Sequence, residues 1–302
     1  MKNLLLQVFY DIISKEYRGK RGITLQYTRI NEDIILKNVE NFDLDETFEC
    51  GQCFRWRKID IGEYIGVVRD KVLKIKKVEN NVILKETSEE DFKNLWTDYF
   101  DLKLNYGDVK LELSKINKTL KKACNFAPGI RILKQDPWET LCSFIISQNN
   151  NIPRIKGIIE RLCRKYGEHL FDDFYSFPEA KVIAGLKLED LAFLKCGFRD
   201  KYILDAAKKV VSGEVNLNLI SNMEIDKARF ELMKINGVGP KVAECVLLYG
   251  MHRLESFPAD VWIKKAMDKL FPKYKPSDFG KFAGIAQQYI YHYVRMNKEL
   301  FN

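Results

Sequence analysis

The sequence contains no hydrophobic run long enough to cross a membrane and no cluster of metal-binding residues. A membrane-spanning helix needs roughly 18 or more apolar residues in succession, and no stretch of the 302 residues approaches that length. The three histidines, His169, His252 and His292, lie far along the chain from the one CxxC motif, Cys50–Cys53. Because a zinc site needs a second cysteine pair or nearby histidines, we expect neither a membrane partner nor a zinc site.

Signals for secretion and for disulfide bonding are also scarce. The seven cysteines are odd in number, scattered and mostly set among apolar residues, which is typical of reduced thiols in an intracellular protein. The apolar N-terminal run is short, is interrupted by Asp11 and has no small-residue cleavage site after it. We therefore expect a cytoplasmic or nucleoid location and interpret residues 1–21 as an N-terminal extension.

The composition is that of a globular protein with a positive net charge. Hydrophobic residues make up 46% of the chain and aromatic residues 12%, and the length is enough for two domains. The formal net charge is +8, from 50 basic and 42 acidic residues. This charge suits a polyanionic partner such as nucleic acid but does not require one.

The pattern of apolar residues divides the chain into two parts. Residues 22–124 alternate β-branched or aromatic residues with polar ones, which predicts an antiparallel sheet with one solvated face. Residues 125–302 show helical spacing throughout. The predicted fold class is α+β, with a twisted antiparallel β-sheet domain followed by an all-helical domain. The expected strands are 23–30, 52–58, 63–68, 72–78 and 82–86, and the first two expected helices are 91–99 and 111–121. The later helices are expected from 136, from 153, and at 188–195, 199–212, 225–235, 240–250, 261–270 and 278–298.

A hairpin at residues 237–241 combines a phosphate-binding geometry with a nucleophile. A helical run stops at Gly237-Val238-Gly239, and a second helix begins at Pro240, whose fixed φ suits the first helical position. Gly237 and Gly239 allow a tight turn whose amides point outward beside a helix N-terminus, and this arrangement attracts phosphate. Lys241 lies in the first turn, where the helix dipole disfavours an ammonium ion. A neutral lysine can attack carbon.

Taken alone, Gly-Val-Gly could be an ordinary turn and Lys241 a solvated surface residue. A second motif, Phe257–Val261, contains Asp260. Asp260 lies 19 residues after Lys241 (260 − 241). Together the two motifs resemble the helix-hairpin-helix/Gly-Pro-Asp superfamily of DNA repair glycosylases, which keeps this separation between its catalytic lysine and aspartate. The resemblance implies that Lys241 and Asp260 are catalytic and that Gly237 and Gly239 contact DNA.

Within that superfamily the chain resembles the 8-oxoguanine DNA glycosylases from about residue 22 to its end. Gly51-Gln52-Cys53-Phe54-Arg55-Trp56 is similar to a family strand whose glycine carbonyl accepts the N7–H of the oxidised base. Guanine lacks this proton, so a single acceptor at Gly51 would discriminate between the two bases. Without the resemblance, Gly51 is a glycine in a strand, which usually marks a bulge.

Two further segments resemble the loops that hold an opened duplex. Asn149 and Arg154 lie in Gln148–Arg154, where the resemblance implies that Asn149 fills the space of the extruded base and Arg154 meets the unpaired cytosine. Phe198 and Arg199 match an aromatic wedge and a second cytosine-contacting arginine. The alternatives are a polar helix C-terminus for the asparagines and a core position for Phe198.

The last long helix and the hairpin helix supply the expected base pocket. Gln287 and Tyr291 are four residues apart and share one helix face. By resemblance, Gln287 pairs with the base edge and Tyr291 stacks on the base, although Tyr291 could also be a core or surface residue. Cys245 lies four residues after Lys241 and is expected to contact the other side of the base.

The resemblance implies a bifunctional DNA N-glycosylase and abasic-site lyase that acts on damaged double-stranded DNA as a monomer. No cofactor is expected for catalysis, and no iron–sulfur cluster, because no cluster of four cysteines follows the hairpin. By analogy, the backbone carbonyls of Met233, Ile235 and Val238 hold a structural monovalent or calcium ion.

The sequence leaves two alternatives to this interpretation open. An alkylated-base glycosylase of the same architecture would keep Asp260 but normally lacks the lysine, so Lys241 argues against it. A non-enzymatic helix-hairpin-helix DNA-binding module would need the hairpin but has no use for Asp260 or a base pocket.

Overall fold

A computed structural model describes residues 15–18 and 24–301. Within them an antiparallel sheet precedes a mostly helical region, so the predicted α+β class is confirmed. The extension, residues 1–21, falls mainly outside the described residues. Its segment Lys15–Arg18 is a strand that pairs with the next one, so the sheet begins before residue 22.

Seven strands form one antiparallel sheet in the order β1-β2-β3-β7-β6-β5-β4. The strands are β1 (Lys15–Arg18), β2 (Thr24–Ile30), β3 (Asp33–Leu36), β4 (Trp56–Asp60), β5 (Glu63–Val68), β6 (Lys71–Val78) and β7 (Asn81–Lys85). In β6, Leu73 and Ile75 are buried while the lysine between them points to the other face. This is the period-2 alternation expected of a sheet with one solvated face.

The sheet differs from the sequence prediction at two places. The turn expected around residues 31–33 leads directly into β3, because Asn31 takes a positive φ of 54° that permits a tight hairpin. The strand expected from residue 52 begins only at Trp56. Residues 44–48, which precede the expected strand, form the short helix α1 (Leu44–Phe48), so Gly51 lies in a loop between a helix and a strand.

The helical region begins within the predicted first domain. One helical segment, α2, is built from Glu89–Asp91, Phe92–Trp96 and Thr97–Tyr99, and the single helix predicted at 111–121 is two helices, α3 (Tyr106–Ser114) and α4 (Lys118–Phe126). Asn117 caps the second of them. Leu113 and Leu120 pack in the core of the helical part, so α3 and α4 belong to it structurally.

The remaining helices surround one large apolar core. They are α5 (Pro137–Ser147), α6 (Ile152–Tyr166), α7 (Ala180–Ala184), α8 (Arg199–Ser212), α9 (Leu217–Ile220), α10 (Ile225–Leu232), α11 (Pro240–Cys245), α12 (Val261–Leu270) and α13 (Ala283–Met296). A π-helical turn, Val246–Gly250, continues α11, and 3₁₀ turns cover Leu188–Leu194, Pro276–Phe282 and Lys298–Phe301. The prediction that this region is all-helical is wrong at one place, where β8 (His169–Phe171) and β9 (Phe174–Tyr175) form a small hairpin.

The two cores meet at the loop after α1. The side chain of Gln52 is fully buried; it donates to the carbonyls of Thr47 and Arg131 at 2.9 and 2.7 Å and accepts from the amide of Leu133 at 2.9 Å. From α13, Gln288 Nε2 donates to the Cys50 carbonyl at 3.0 Å. These bonds fix the Gly51 loop against the helical region. No helix in the described part of the chain is both long and apolar enough to span a bilayer.

Candidate active site

The hairpin between α10 and α11 has the geometry that the sequence predicts. Gly237 has a φ of +79°, and a Cβ at this position would stand 2.3 Å from the ring of Tyr202. Gly239 is the N-cap of α11 and Pro240 its first residue. The first amides of a helix have no intrahelical acceptor, so this N-terminus can donate hydrogen bonds to a phosphate oxygen.

An aspartate of α8 supports the hairpin from outside. Asp205 accepts from the backbone amide of Asn236 at 2.7 Å and from its side chain at 3.0 Å. Asp205 also forms an ion pair with Lys209 at 3.2 Å. The turn is therefore held by packing on one side and by a carboxylate on the other.

Lys241 lies at the start of α11 and is half-buried. Its Nζ is 5.0 Å from the centre of the Phe144 ring. Burial raises the pKa of Cys245 to about 11, against the opposing effect of the nearby Lys241 charge, so this thiol remains protonated near neutral pH.

Asp260 is the N-cap of α12, and its Oδ1 accepts from the amide of Ile263 at 2.8 Å. A helix N-terminus stabilises a carboxylate. Asp260 is half-buried and lines the same pocket as Lys241. The structure thus brings the predicted nucleophile and carboxylate together.

The pocket is small, with a cavity volume of about 60 Å³. Six residues predicted from the sequence line it: Gly51, Lys241, Cys245, Asp260, Gln287 and Tyr291. The predicted base pocket is therefore one cavity built from both structural regions, since Gly51 belongs to the loop before β4 and the others to helices around the second core.

Gln287 is 4% exposed, and its Oε1 has no hydrogen-bond partner among the described residues. An unpaired buried polar atom costs about 1–3 kcal/mol, so it calls for an explanation. A ligand with a donor edge in the pocket would supply the missing bond.

Gly51 has a φ of +86°, a conformation that favours glycine. A Cβ at Gly51 would lie 3.8 Å from the Tyr291 hydroxyl, which places that ring beside the loop. Burial raises the pKa of Tyr291, and the nearby positive charge of Arg295 opposes the effect. Tyr291 is thus a pocket residue, whereas its neighbour Tyr289 is fully buried in the core.

Three of the predicted DNA-contacting residues are exposed. Asn149 lies just after α5 with a φ of +46°, and Asn151 caps α6 by accepting from the amide of Arg154 at 3.1 Å. The Arg154 side chain is exposed and donates to the carbonyl of Lys195 at 3.0 Å. Phe198 is 50% exposed, so it is a surface residue and not a core residue.

Arg199 does not lie where a cytosine-contacting side chain would be expected. It is 4% exposed, and its guanidinium donates to the carbonyls of Gln148 at 2.9 Å, Cys196 at 2.8 Å and Asn149 at 3.0 Å. In this arrangement Arg199 joins the loop after α5, which contains Gln148 and Asn149, to the loop before α8, which contains Cys196.

Sequence reasoning missed the apolar walls of the pocket. Phe144 and Tyr249 line it, with their rings stacked at 5.4 Å and an angle of 17°. Pro258 also contributes to the lining. Phe144 lies in the helix predicted from residue 136, and nothing in a helical pattern separates a core ring from one that faces a cavity.

The carbonyls proposed for a structural ion suit an oxygen-loving cation. Ile235 O accepts the amide of Val238 at 3.0 Å, which leaves it a second lone pair. Among the described residues, no backbone amide outside the helices donates to the carbonyls of Met233 or Val238. Hard cations bind such oxygens, so these residues fit the proposed ion.

Comparison with known proteins matches both structural regions to families. Residues 34–141 match the family model "8-oxoguanine DNA glycosylase, N-terminal domain", and residues 142–278 match "HhH-GPD superfamily base excision DNA repair protein". A probable N-glycosylase/DNA lyase of Methanothermobacter thermautotrophicus is 31% identical over 229 residues, which are 65% of this chain and 72% of that protein. The chain belongs to the 8-oxoguanine glycosylase/lyase family.

Two solved structures of this family share the fold over nearly their whole length. MBOgg1, in complex with a low-affinity DNA ligand, is 43% identical with a TM-score of 0.87; the match covers 91% of this chain and 100% of that one. The Clostridium acetobutylicum 8-oxoguanine glycosylase/lyase, bound to double-stranded DNA with cytosine opposite 8-oxoguanine, is 40% identical. Its TM-score is 0.84, and the match covers 91% of this chain and 98% of that one.

Proposed function

We propose that this N-glycosylase/DNA lyase excises 8-oxoguanine from damaged double-stranded DNA with Lys241 as its nucleophile and then cleaves the strand at the abasic site. The observation that carries the proposal is the shared pocket of Lys241 and Asp260, the half-buried amine and the helix-capping carboxylate. DNA is the partner, as in the complexes of the two related structures.

The reaction needs a neutral amine at Lys241. Its Nζ forms a bond to C1′ while the glycosidic bond breaks, and the electron pair leaves with the base, which takes up a proton. Opening of the sugar ring gives a Schiff base. Loss of a C2′ proton then gives an enamine. Its electrons return to form a double bond between C2′ and C3′, the bond from C3′ to oxygen breaks, and the phosphate leaves with the bonding electron pair.

Asp260 has the electrostatic role in this sequence. Its carboxylate stabilises positive charge on the sugar as the base departs, and it accepts or returns protons in later steps. The amide of Ile263 holds one oxygen at 2.8 Å, so the carboxylate has a fixed orientation.

The base is recognised from several sides of the pocket. The Gly51 carbonyl accepts the N7–H that distinguishes 8-oxoguanine from guanine, and the free Oε1 of Gln287 accepts from the Watson–Crick edge. Tyr291 and Cys245 contact the two faces of the ring. With guanine the Gly51 carbonyl would have no donor, and this unpaired acceptor would penalise the undamaged base.

The base must leave the duplex before it can enter the pocket, which costs a few kcal/mol. Phe198 inserts into the stack, while Asn149 and Arg154 hold the opened duplex and meet the cytosine. Arg199 contributes to this surface by holding the carbonyls of Gln148 and Asn149.

The hairpin anchors the DNA backbone. Gly237 and Gly239 present the N-terminus of α11 to a phosphate, and the carbonyls of Met233, Ile235 and Val238 would hold a monovalent or calcium ion that stiffens the turn. Catalysis itself requires no cofactor. The protein acts as a monomer inside the cell.

Borohydride trapping tests the nucleophile. An 8-oxoguanine duplex should give a covalent protein–DNA complex with the wild type and with Lys71→Gln, a change in an exposed ion pair on β6. Lys241→Gln should abolish both trapping and base release. Trapping that survived Lys241→Gln would refute the assignment. Release of 3-methyladenine but not of 8-oxoguanine would favour an alkylated-base glycosylase instead.

A further inference from the structure

The edge of the base pocket holds an arginine that the proposed mechanism does not use. Arg295 lies one turn after Tyr291 in α13, and its Nη1 donates to the Tyr291 hydroxyl at 3.1 Å. The same Nη1 would be 3.9 Å from a Cβ on Gly51. The arginine, the tyrosine hydroxyl and the loop that carries the predicted N7–H acceptor therefore meet at one point.

The charge of Arg295 is not neutralised by an ion pair. Within residues 15–18 and 24–301, no carboxylate oxygen lies within 4.0 Å of its guanidinium, whereas Arg229 and Arg253 each contact an acidic side chain. Arg295 is half-buried, and its Cζ lies 5.7 Å from the centre of the Tyr291 ring. Its polar partner on the protein is thus the tyrosine hydroxyl.

This contact restrains the tyrosine ring. A tyrosine side chain can rotate about two bonds, and a rotation that moved the ring away from the Gly51 loop would break the bond to Arg295. Two other lining residues of the pocket, Phe144 and Cys245, are 4% and 2% exposed and packed in the core. The position of the Tyr291 ring therefore sets the width of the slot that a planar base must enter.

We propose that Arg295 is a positioning residue for base recognition, which acts by holding the hydroxyl of Tyr291 so that its ring stays parallel to the entering purine beside Gly51. The inference rests on the proposed function, because it assumes that a base enters this pocket. It assigns Arg295 to excision of the base and not to cleavage at an abasic site, where no base needs to be held.

A double-mutant cycle tests the proposal on two substrates. Single-turnover rates are measured for the wild type, Tyr291→Phe, Arg295→Ala, Arg295→Lys and the double variant Tyr291→Phe/Arg295→Ala. The substrates are a duplex with 8-oxoguanine opposite cytosine and the same duplex with a preformed abasic site. Lys71→Ala, which removes one half-exposed positive charge on β6 that does not line the pocket, is the matched control for charge.

With 8-oxoguanine, Arg295→Ala and Tyr291→Phe should each slow excision about fivefold, the effect of one hydrogen bond, and the double variant should be no slower than either single one. Arg295→Lys should recover most of the rate. Cleavage of the abasic duplex should stay at the wild-type rate in every variant.

Three results would overturn the inference. If Arg295→Ala slowed both substrates equally, Arg295 would be a phosphate contact. If Arg295→Ala slowed excision as much in the Tyr291→Phe background as in the wild type, Arg295 would not act through the tyrosine hydroxyl. If Arg295→Ala left the excision rate unchanged, Arg295 would have no role in base recognition. A wild-type protein that released no 8-oxoguanine would refute the proposed function as well, and only that result would do so.

Discussion

Gln287 and Gln288 are neighbours in α13, yet only one of them has its side chain satisfied by the protein. Gln288 accepts from the Tyr249 hydroxyl and donates to the Cys50 carbonyl at 3.0 Å. The Oε1 of Gln287 has no partner among the described residues. Both side chains are buried, so the difference separates a residue that holds the fold together from one that is available to a ligand.

This difference predicts opposite effects for the same substitution. Gln287→Leu removes an unsatisfied polar atom, so we expect the free energy of unfolding to stay equal or rise, while excision of 8-oxoguanine falls by about tenfold or more. Gln288→Leu breaks two buried hydrogen bonds and should cost about 2–3 kcal/mol of stability. Urea unfolding and single-turnover kinetics measure both effects. A clear loss of stability in Gln287→Leu would contradict a ligand-binding role.

Gly51 predicts a loss of activity that exceeds its effect on stability. A side chain at a φ of +86° strains the backbone by about 1–2 kcal/mol, and relief of that strain would move the Gly51 carbonyl. Gly213, the C-cap of α8, has a φ of +78° and open space around it, so it is a matched control. Gly51→Ala and Gly213→Ala should lower the melting temperature similarly, but only Gly51→Ala should slow excision. If the two variants excised 8-oxoguanine at the same rate, the proposed contact between Gly51 and the base would be refuted.

The two hairpin glycines should respond differently to alanine. Gly237→Ala places a Cβ against the Tyr202 ring at a positive φ, so we expect it to lose both stability and DNA affinity. Gly239 has a φ of −96° and no atom within 4 Å of an added Cβ. Gly239→Ala should therefore fold normally but bind DNA more weakly, because the methyl group stands where a phosphate would approach. Fluorescence anisotropy measures the DNA affinity of both variants, and thermal melting measures their stability. An unchanged DNA affinity in Gly239→Ala would argue against a phosphate at this turn.

Glu139 predicts a dependence of stability on pH. Burial raises the pKa of this carboxyl from 4.5 to about 7, against the opposing charge of Arg55. Between these two values folding takes up a proton, so stability falls as the pH rises from about 4.5 to 7. Because the side chain retains 15% exposure, we expect a loss of about 1–2 kcal/mol.

Substitution by glutamine isolates this contribution. Glu139→Gln cannot ionise, so its stability relative to the wild type should increase across the same pH window. Glu160→Gln removes a half-exposed carboxylate that is paired with Arg164 and should leave the slope unchanged. Urea unfolding at several pH values measures the free energy of unfolding of each variant. If its slope against pH were the same in the wild type and in Glu139→Gln, the shifted pKa of Glu139 would be refuted.

The parts of the site that could be predicted from the sequence are those with local signatures. Lys241 and Asp260 each lie at the start of a helix, where a proline or an N-cap marks the position, and their spacing does not depend on long-range contacts. The hairpin glycines are similar, because the positive φ of Gly237 is a property of the turn itself. Such features can be predicted from nearby residues without knowledge of the rest of the fold.

Other features depend on partners that are distant in the sequence. The loop at Gly51 was expected to be a strand, but its conformation is set by bonds from Gln52 to Arg131 and Leu133. The inward direction of Arg199 results from carbonyls about 50 residues away. No pattern of nearby residues encodes either contact, so the conformations of the loop and of the arginine could only come from the structure.

The loop before β4 brings Gly51 to a cavity whose reactive amine comes from the other structural region. On the proposed function, the contact that distinguishes the oxidised base therefore belongs to a different segment from the amine that breaks the bond, while Cys245, Gln287 and Tyr291 complete the base pocket from the helical region. A change confined to the sheet region can alter which damaged base is admitted while the machinery that severs the sugar linkage stays intact. An engineered enzyme for a different lesion would accordingly start from residues 49–55 and leave the hairpin untouched.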